Sequence, residues 1–550
     1  MMPSKVCRVA IGEGVRADTD SSIREPGRPP WWRDHRVPLI SVAAVLPLYA
    51  VWAAFLATGA GDLAAQFAWA GFTARHPGSA YNLSWYGGTH TANYSVFSSY
   101  VMAYAGVRTV SVASGLAATW LLARLFARTG LRRPLPPALL GAFALWCNVA
   151  SGRTTFALGV AIGLVACRYA HRPVVTVVAG ALATMASPVA GLFLVVVGAA
   201  YLLDRRWRTG AVLMVPFFAV IGATTLLFPF EGEQPMHADR LWTPLLVCTV
   251  FALAAPRARE WRLARYGAVV YAVGVVLTFL VASPIGTNVE RLLGLVAVPV
   301  LCAAILDTVR AGARARTGLL AAVLVVSGVW LVSKTVSDLR VTTTVPAWAS
   351  HTEGVVAALD RLGADRVRVE VVPARNHREA TALAPHVNMA RGWNRQLDVE
   401  RGRLFYEGEL TPDRYRAWLD HWAVGLVVLH HGRPDGPAEA EAALIKGGLP
   451  WLDQVWEDDG WTVYRVREAT PLAPPPATVT GGSDADMVLR MERAGSVTVR
   501  VAYSPWLRVR GADGACLRQD GEWTRLTVRK AGTYRLDSAY GLARFTGGGC

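Results

Sequence analysis

The chain has 550 residues, 53% hydrophobic and only 17% charged, with a mean hydropathy of +0.30. A soluble protein carries nearer about 25% charge, and the deficit is confined to residues 37–335, so a wholly water-soluble chain is excluded. The formal charge of +16 comes from arginines scattered between apolar runs rather than gathered on one face, which argues against a nucleic-acid partner.

Residues 1–36 mix arginines, acids and prolines with no apolar core for a signal peptide, and read as a disordered cytoplasmic tail. A membrane helix needs about 20 apolar residues to cross roughly 30 Å of hydrocarbon. Eleven candidate spans follow: 37–58, 108–125, 134–150, 154–168, 173–186, 188–203, 209–228, 242–256, 266–282, 289–306 and 318–335. The division at Ser187-Pro188 is decisive. As one helix, residues 173–203 would run about 46 Å, and the residue before a proline is biased away from helix. Divided there, with the N-terminus inside, the arginine-rich loops all face the cytoplasm: Arg124–Arg133, Arg168–Arg172, Arg205–Arg208, Arg257–Arg265 and Arg310–Arg316. Only Arg75, Arg108, Arg153, Arg240 and Arg291 are left for the outer loops. The expected fold is thus a polytopic α-helical membrane protein, about eleven spans, N-in and C-out.

Beyond the bundle the composition is that of a water-soluble protein. Residues 346–466 alternate helical and strand patterns and predict an extracytoplasmic α/β module. Thr411 is set to cap a helix that leads into the strand Val424–Leu429, and Asp458-Asp459-Gly460 is a hairpin turn. A proline-rich linker over 467–484 leads to a β-rich module over 485–550, a small β-sandwich. Trp393, Trp418, Trp422, Trp451, Trp456, Trp461, Trp506 and Trp523 crowd this half, for core packing or for stacking on sugar rings. Cys516 and Cys550 are its two cysteines, and a disulfide between them or two free thiols are both open.

The first outer loop, 60–107, is long, aromatic and poor in charge, as functional loops are. Asp62 stands just past the first span, either as a partly desolvated general base or as the cap of a short helix through Ala64–Phe72. Gln66, Trp85, Tyr86 and His90 are further candidates for substrate contact in this loop, His90 alternatively being held by a structural hydrogen bond. Arg153, Arg240 and Arg291 oppose the positive-inside bias and suit a phosphate. Ion pairs such as Arg240 with Asp239 or Arg291 with Glu231 would also explain them. Glu290 beside Arg291 completes the candidate set. No metal-ligand spacing occurs, so no cofactor is expected, and one loop acid gives no support for a divalent metal.

With these residues in place, the layout resembles the C-type glycosyltransferase (GT-C) superfamily, in an actinobacterial form. Gly61-Asp62 matches the position of that superfamily's carboxylate in a long first outer loop, although many members carry paired acids there. The stretch Tyr503–Gly511 (YSPWLRVRG) also looks like the β-rich tails of large bacterial membrane proteins of this kind. The resemblance implies an inverting transferase in the bacterial plasma membrane. It would move a sugar from a polyprenyl-phosphate donor to an envelope glycan or protein acceptor. Asp62 would be the base, and Arg153 or Arg291 would hold the departing phosphate. Two other readings are a non-catalytic envelope-assembly protein and a transporter. Arg124–Arg133 resembles the cytoplasmic loop motif of the major facilitator superfamily, without its leading glycine and aspartate. The spans are expected to lack the buried acids and bases that proton-coupled transport uses.

Overall fold

The computed structural model describes residues 31–230, 232–408 and 410–541. Most of the expected tail, Glu231 and Cys550 lie outside them. From Val37 onward the described residues form one compact unit.

Among the described residues thirteen α-helices lead up to the soluble part: α1 (Trp31–Val51), α2 (Asp62–Arg75), α3 (Ser98–Ala105), α4 (Val107–Arg128), α5 (Leu135–Ala150), α6 (Thr154–Arg168), α7 (Pro173–Ala186), α8 (Pro188–Leu203), α9 (Trp207–Leu227), α10 (Trp242–Ala254), α11 (Arg262–Leu280), α12 (Glu290–Arg310) and α13 (Arg314–Thr342). All but α2 and α3 coincide with an expected apolar run. Six of the helical stretches are long and apolar enough to cross a membrane: His35–Leu56, Val107–Arg128, Trp207–Leu227, Arg259–Leu280, Gly286–Arg310 and Arg314–Thr342. Helices α5 to α8 are apolar but shorter.

The chain reverses at Ser187. Its backbone is extended (φ −158°, ψ 116°) between α7 and α8. A Cβ on Gly191 would meet the Thr184 side chain, and one on Gly180 would lie 3.8 Å from Leu194, so α7 and α8 run back along each other. The break frees the last carbonyls of α7. The first loop satisfies two of them: Ser95 Oγ and Val96 N donate to Met185 O, and Ser98 Oγ donates to Ala186 O. The α7–α8 turn therefore lies on the same face as that loop.

The first soluble module is a mixed five-stranded sheet with helices on it. Its strands are β3 (Arg368–Val371), β4 (Asn388–Met389), β5 (Val424–His430), β6 (Leu452–Glu457) and β7 (Trp461–Val466), in the order β4-β3-β5-β7-β6. The two pairs made by β3 are parallel, and the other two are antiparallel. Central β5 is buried at every position, as its unbroken apolar run requires. The helices are α14 (Ala347–Ser350), α15 (Glu353–Leu362), α16 (Glu379–Ala382), α17 (Arg395–Arg401), α18 (Pro412–His421) and α19 (Glu439–Lys446). Thr411 caps α18 through Arg414 N, with Pro412 in the first turn. Asp458 Oδ1 accepts from Gly460 N and Trp461 N, which fixes the β6–β7 hairpin turn.

The second module stacks two antiparallel sheets, ordered β11-β14-β9-β8 and β10-β13-β12. Its strands are β8 (Ala477–Gly482), β9 (Met487–Met491), β10 (Gly495–Ala502), β11 (Leu507–Arg510), β12 (Cys516–Asp520), β13 (Trp523–Val528) and β14 (Gly532–Ser538). The expected linker 467–484 is therefore only partly a linker. Its C-terminal part is edge strand β8, whose alternating Ala477 and Val479 enter the shared core. Cys516 is disulfide-bonded.

The first loop is the peg that joins these parts. It carries a small hairpin of β1 (Tyr81–Asn82) and β2 (Thr89–His90). Trp85 and Tyr86 sit in the core of the α/β module, and Tyr81 and Leu83 in that of the sandwich. Backbone bonds follow the same route: Met389 N donates to Ser84 O, Leu83 N to Asp484 O and Ala502 N to Gly87 O.

Candidate functional site

Where the bundle meets the α/β module there is a cavity of about 520 Å³. Its floor comes from α2, α5, α12, α13 and the α5–α6 turn, and its roof from Arg375, His377, residues 393–396 and Asp435. Six of the nine residues expected to act on a substrate line it: Asp62, Gln66, Arg153, Arg240, Glu290 and Arg291.

Asp62 is the first residue of α2. Gly61 holds the cap position at φ 61°, a conformation that favours glycine, and no side chain caps the helix. Asp62 is thus not the cap, and its carboxylate is free to face the cavity. Gly152, at φ 79°, brings the α5–α6 turn against it: a Cβ there would lie 2.9 Å from Leu63 N and 3.5 Å from Asp62 Cβ. Arg153 follows at once. Its Nε is 3.7 Å from Asp62 Oδ2 and its Nη2 is 3.5 Å from Asp338 Oδ2. Arg291 Nη2 lies 3.9 Å from the same Asp62 oxygen, with its guanidinium 5.4 Å from the Phe156 ring centroid.

These pairs are long for charge-assisted hydrogen bonds, which run about 2.7–2.9 Å. Arg153 Nε is buried without a hydrogen-bond partner. Burial, and after it the charge of Arg291, lowers the Arg153 pKa, and Asp62 and Asp338 only partly oppose this. An arginine so placed gains from a further anion. Among the described lining residues, six cations (Arg153, Arg240, Arg291, Lys334, Arg375 and Arg395) face four carboxylates (Asp62, Glu290, Asp338 and Asp435). The cavity is built for negative charge.

Arg240 makes the expected local pair, 3.6 Å from Asp239, yet also lines the cavity. Glu290 is 4% exposed, in the field of Lys334, Arg240 and Arg153. The expectation that the spans hold no buried acid or base needs correction, since Glu290 and Lys334 both belong to apolar helices and point into the cavity.

Trp85, Tyr86 and His90 do not line it. Tyr86 is fully buried, donating through its hydroxyl to Gly392 O and accepting from Asn394 N. Trp85 packs against Gly392. His90 bonds Ser504 Oγ at 2.9 Å and meets the rings of Tyr81 and Phe228. They hold the first loop in the soluble modules. Of the tryptophans in the soluble part, Trp348, Trp418, Trp422, Trp461, Trp506 and Trp523 are buried in cores, while Trp393 reaches the cavity.

Sequence reasoning missed Lys334 and Asp338, on the part of α13 that overhangs or ends its apolar run, and the roof residues Arg375, His377, Arg395 and Asp435. The signal for Lys334 was present: it is one of only four lysines, set in an apolar helix. On the roof, His377 stacks on Trp393 with centroids 3.4 Å apart, and Arg395 pairs with Asp435 at 2.7 Å. Among the described residues no group of three or more His, Cys, Asp and Glu is arranged to hold a metal ion.

Residues 474–550 match a family described as a domain of unknown function (DUF8823). No curated protein matches the chain. Among solved structures the chain is similar to ArnT from Cupriavidus metallidurans bound to undecaprenyl phosphate. The identity is 14% and the TM-score 0.36, over 78% of this chain and 97% of that one.

Proposed function

We propose that the protein is a membrane glycosyltransferase that takes a sugar from a polyprenyl-phosphate donor and passes it to an envelope glycan or protein. One observation carries the reading: a carboxylate, Asp62, stands between two arginines with unspent donors, in a cation-rich cavity at one end of an apolar helix bundle. The bundle suits the prenyl chain, the arginines suit the phosphate, and the carboxylate suits the acceptor hydroxyl.

In this mechanism Asp62 takes the proton of the acceptor hydroxyl as its oxygen forms a bond to the anomeric carbon. The bond from that carbon to the phosphate oxygen breaks with inversion. The leaving prenyl phosphate carries more negative charge than the diester it came from. Arg153 and Arg291 therefore bind the product side of the step more strongly than the substrate, which is what speeds a reaction.

The orientation proposed with this function is eleven spans in the plasma membrane of a bacterium, with both soluble modules and the cavity outside. An alkaline-phosphatase fusion after Val345 is expected to be active, and an inactive fusion would reverse the orientation. For the chemistry, Asp62→Asn in reconstituted protein is expected to lower kcat for sugar transfer about 10²–10⁴-fold, with the melting temperature unchanged. Wild-type transfer rates in that variant would remove Asp62 from the mechanism.

A further inference from the structure

Two carboxamides in the cavity wall lack partners. Gln66 is 5% and Asn148 6% exposed, and Gln66 Oε1 and Asn148 Oδ1 accept no hydrogen bond. Buried polar atoms are seldom left this way, because desolvation is then not repaid. Asn148 is the sharper case, since it lies within α5, among helices apolar enough for a membrane, where a polar side chain marks a ligand path.

Both amides stand beside the reacting groups. Gln66 is one turn along α2 from Asp62, and Trp69 follows on the same face, so all three line the cavity. The Trp69 ring lies 5.2 Å from that of Tyr94, which lines it too. Asn148 is one turn before Gly152, the residue packed on Asp62 and Leu63. A carboxamide is both donor and acceptor and so matches hydroxyl groups, and an aromatic wall suits the apolar face of a sugar ring.

We infer that Gln66 and Asn148 form the subsite that reads the hydroxyl groups of the transferred sugar, with Trp69 and Tyr94 as its aromatic wall. This rests on the glycosyltransferase reading and adds the residues that select the sugar. A bare polyprenyl phosphate has no such hydroxyls, so the subsite contributes to binding of the glycosylated lipid alone.

The test measures binding of two kinds of lipid to the full-length protein in nanodiscs. One is undecaprenyl phosphate; the other is undecaprenyl phosphate carrying mannose, glucose, galactose or arabinose. Wild type is expected to hold at least one sugar-bearing lipid more tightly than the bare one. Asn148→Leu and, separately, Gln66→Met are expected to weaken that lipid about tenfold or more, with bare lipid held within twofold of wild type. The two variants sit on different helices, so one reports if the other fails to fold. Equal loss for both lipids, or no loss in a folded variant, overturns the subsite while leaving the phosphate site standing. A wild type that prefers no sugar does the same. A wild type that binds neither kind of lipid overturns the parent reading and the subsite with it.

Discussion

Asp62 owes its position to its neighbours more than to its own bonds. Gly61 turns the chain into α2, Gly152 lets the α5–α6 turn approach, and two arginines come within 4 Å of the carboxylate. Elsewhere single residues carry stability. His430 is fully buried against Trp348 and accepts from Gly432 N, and burial lowers its pKa from 6.5 to about 4. The unfolded chain binds a proton below about pH 6.5 that the folded chain refuses until about pH 4, so this residue's contribution is complete above 6.5 and is lost as pH falls through that window. The difference amounts to about 3 kcal/mol. His430→Asn keeps an acceptor without titrating. Its melting temperature should therefore fall less steeply than wild type between pH 6.5 and 4. Parallel curves for the two proteins would mean that His430 does not contribute there. At this scale the sequence pointed to cavity-lining residues wherever a polar residue stands at one end of an apolar run, as at Asp62, Arg153, Glu290 and Arg291. Trp85, Tyr86 and His90 were not separable from them, because an aromatic loop residue bound for a protein core has the same local signature as one bound for a ligand.

The last apolar helix, α13, is longer than a bilayer crossing needs. Its 29 residues span about 44 Å, well over the roughly 30 Å of hydrocarbon. The excess carries Asp338 and Thr342 to the soluble module. There Arg378, 7% exposed, donates to Thr58 O and Thr58 Oγ1 at 2.6 Å each and to Thr342 O at 3.0 Å. Gly61 N donates to Asn376 O beside it. One guanidinium thus ties the end of the first apolar helix, the end of α13 and the cavity roof together. Arg378→Ala should cost about 2–3 kcal/mol of stability and raise amide exchange across residues 374–378 and 58–62. Unchanged exchange at those segments would show that the clamp is dispensable. The sequence marked α13 as a span but not its overhang, because the apolar run stops near residue 335 while the helix continues.

Over the whole molecule, hydropathy located the apolar helices, since a run of residues without charge differs in composition from an amphipathic surface helix. What the first loop does was hidden, because its pairing with residues some 300 to 450 positions away, such as Ser84 with Met389 and Ser79 with Ser538, leaves no local trace. The same holds for the cavity roof. Arg375 and Arg395 share a cavity with Asp62 only once the α/β module has folded back onto the bundle.

That meeting is the central claim, and a bound lipid reports on it directly. Electron cryomicroscopy of the protein in nanodiscs with undecaprenyl phosphate should show the phosphate in the cavity, bonded to Arg153 and Arg291, with its prenyl chain passing into the helix bundle. A phosphate held on another surface, or a cavity that stays free of lipid at saturating concentration, would contradict it.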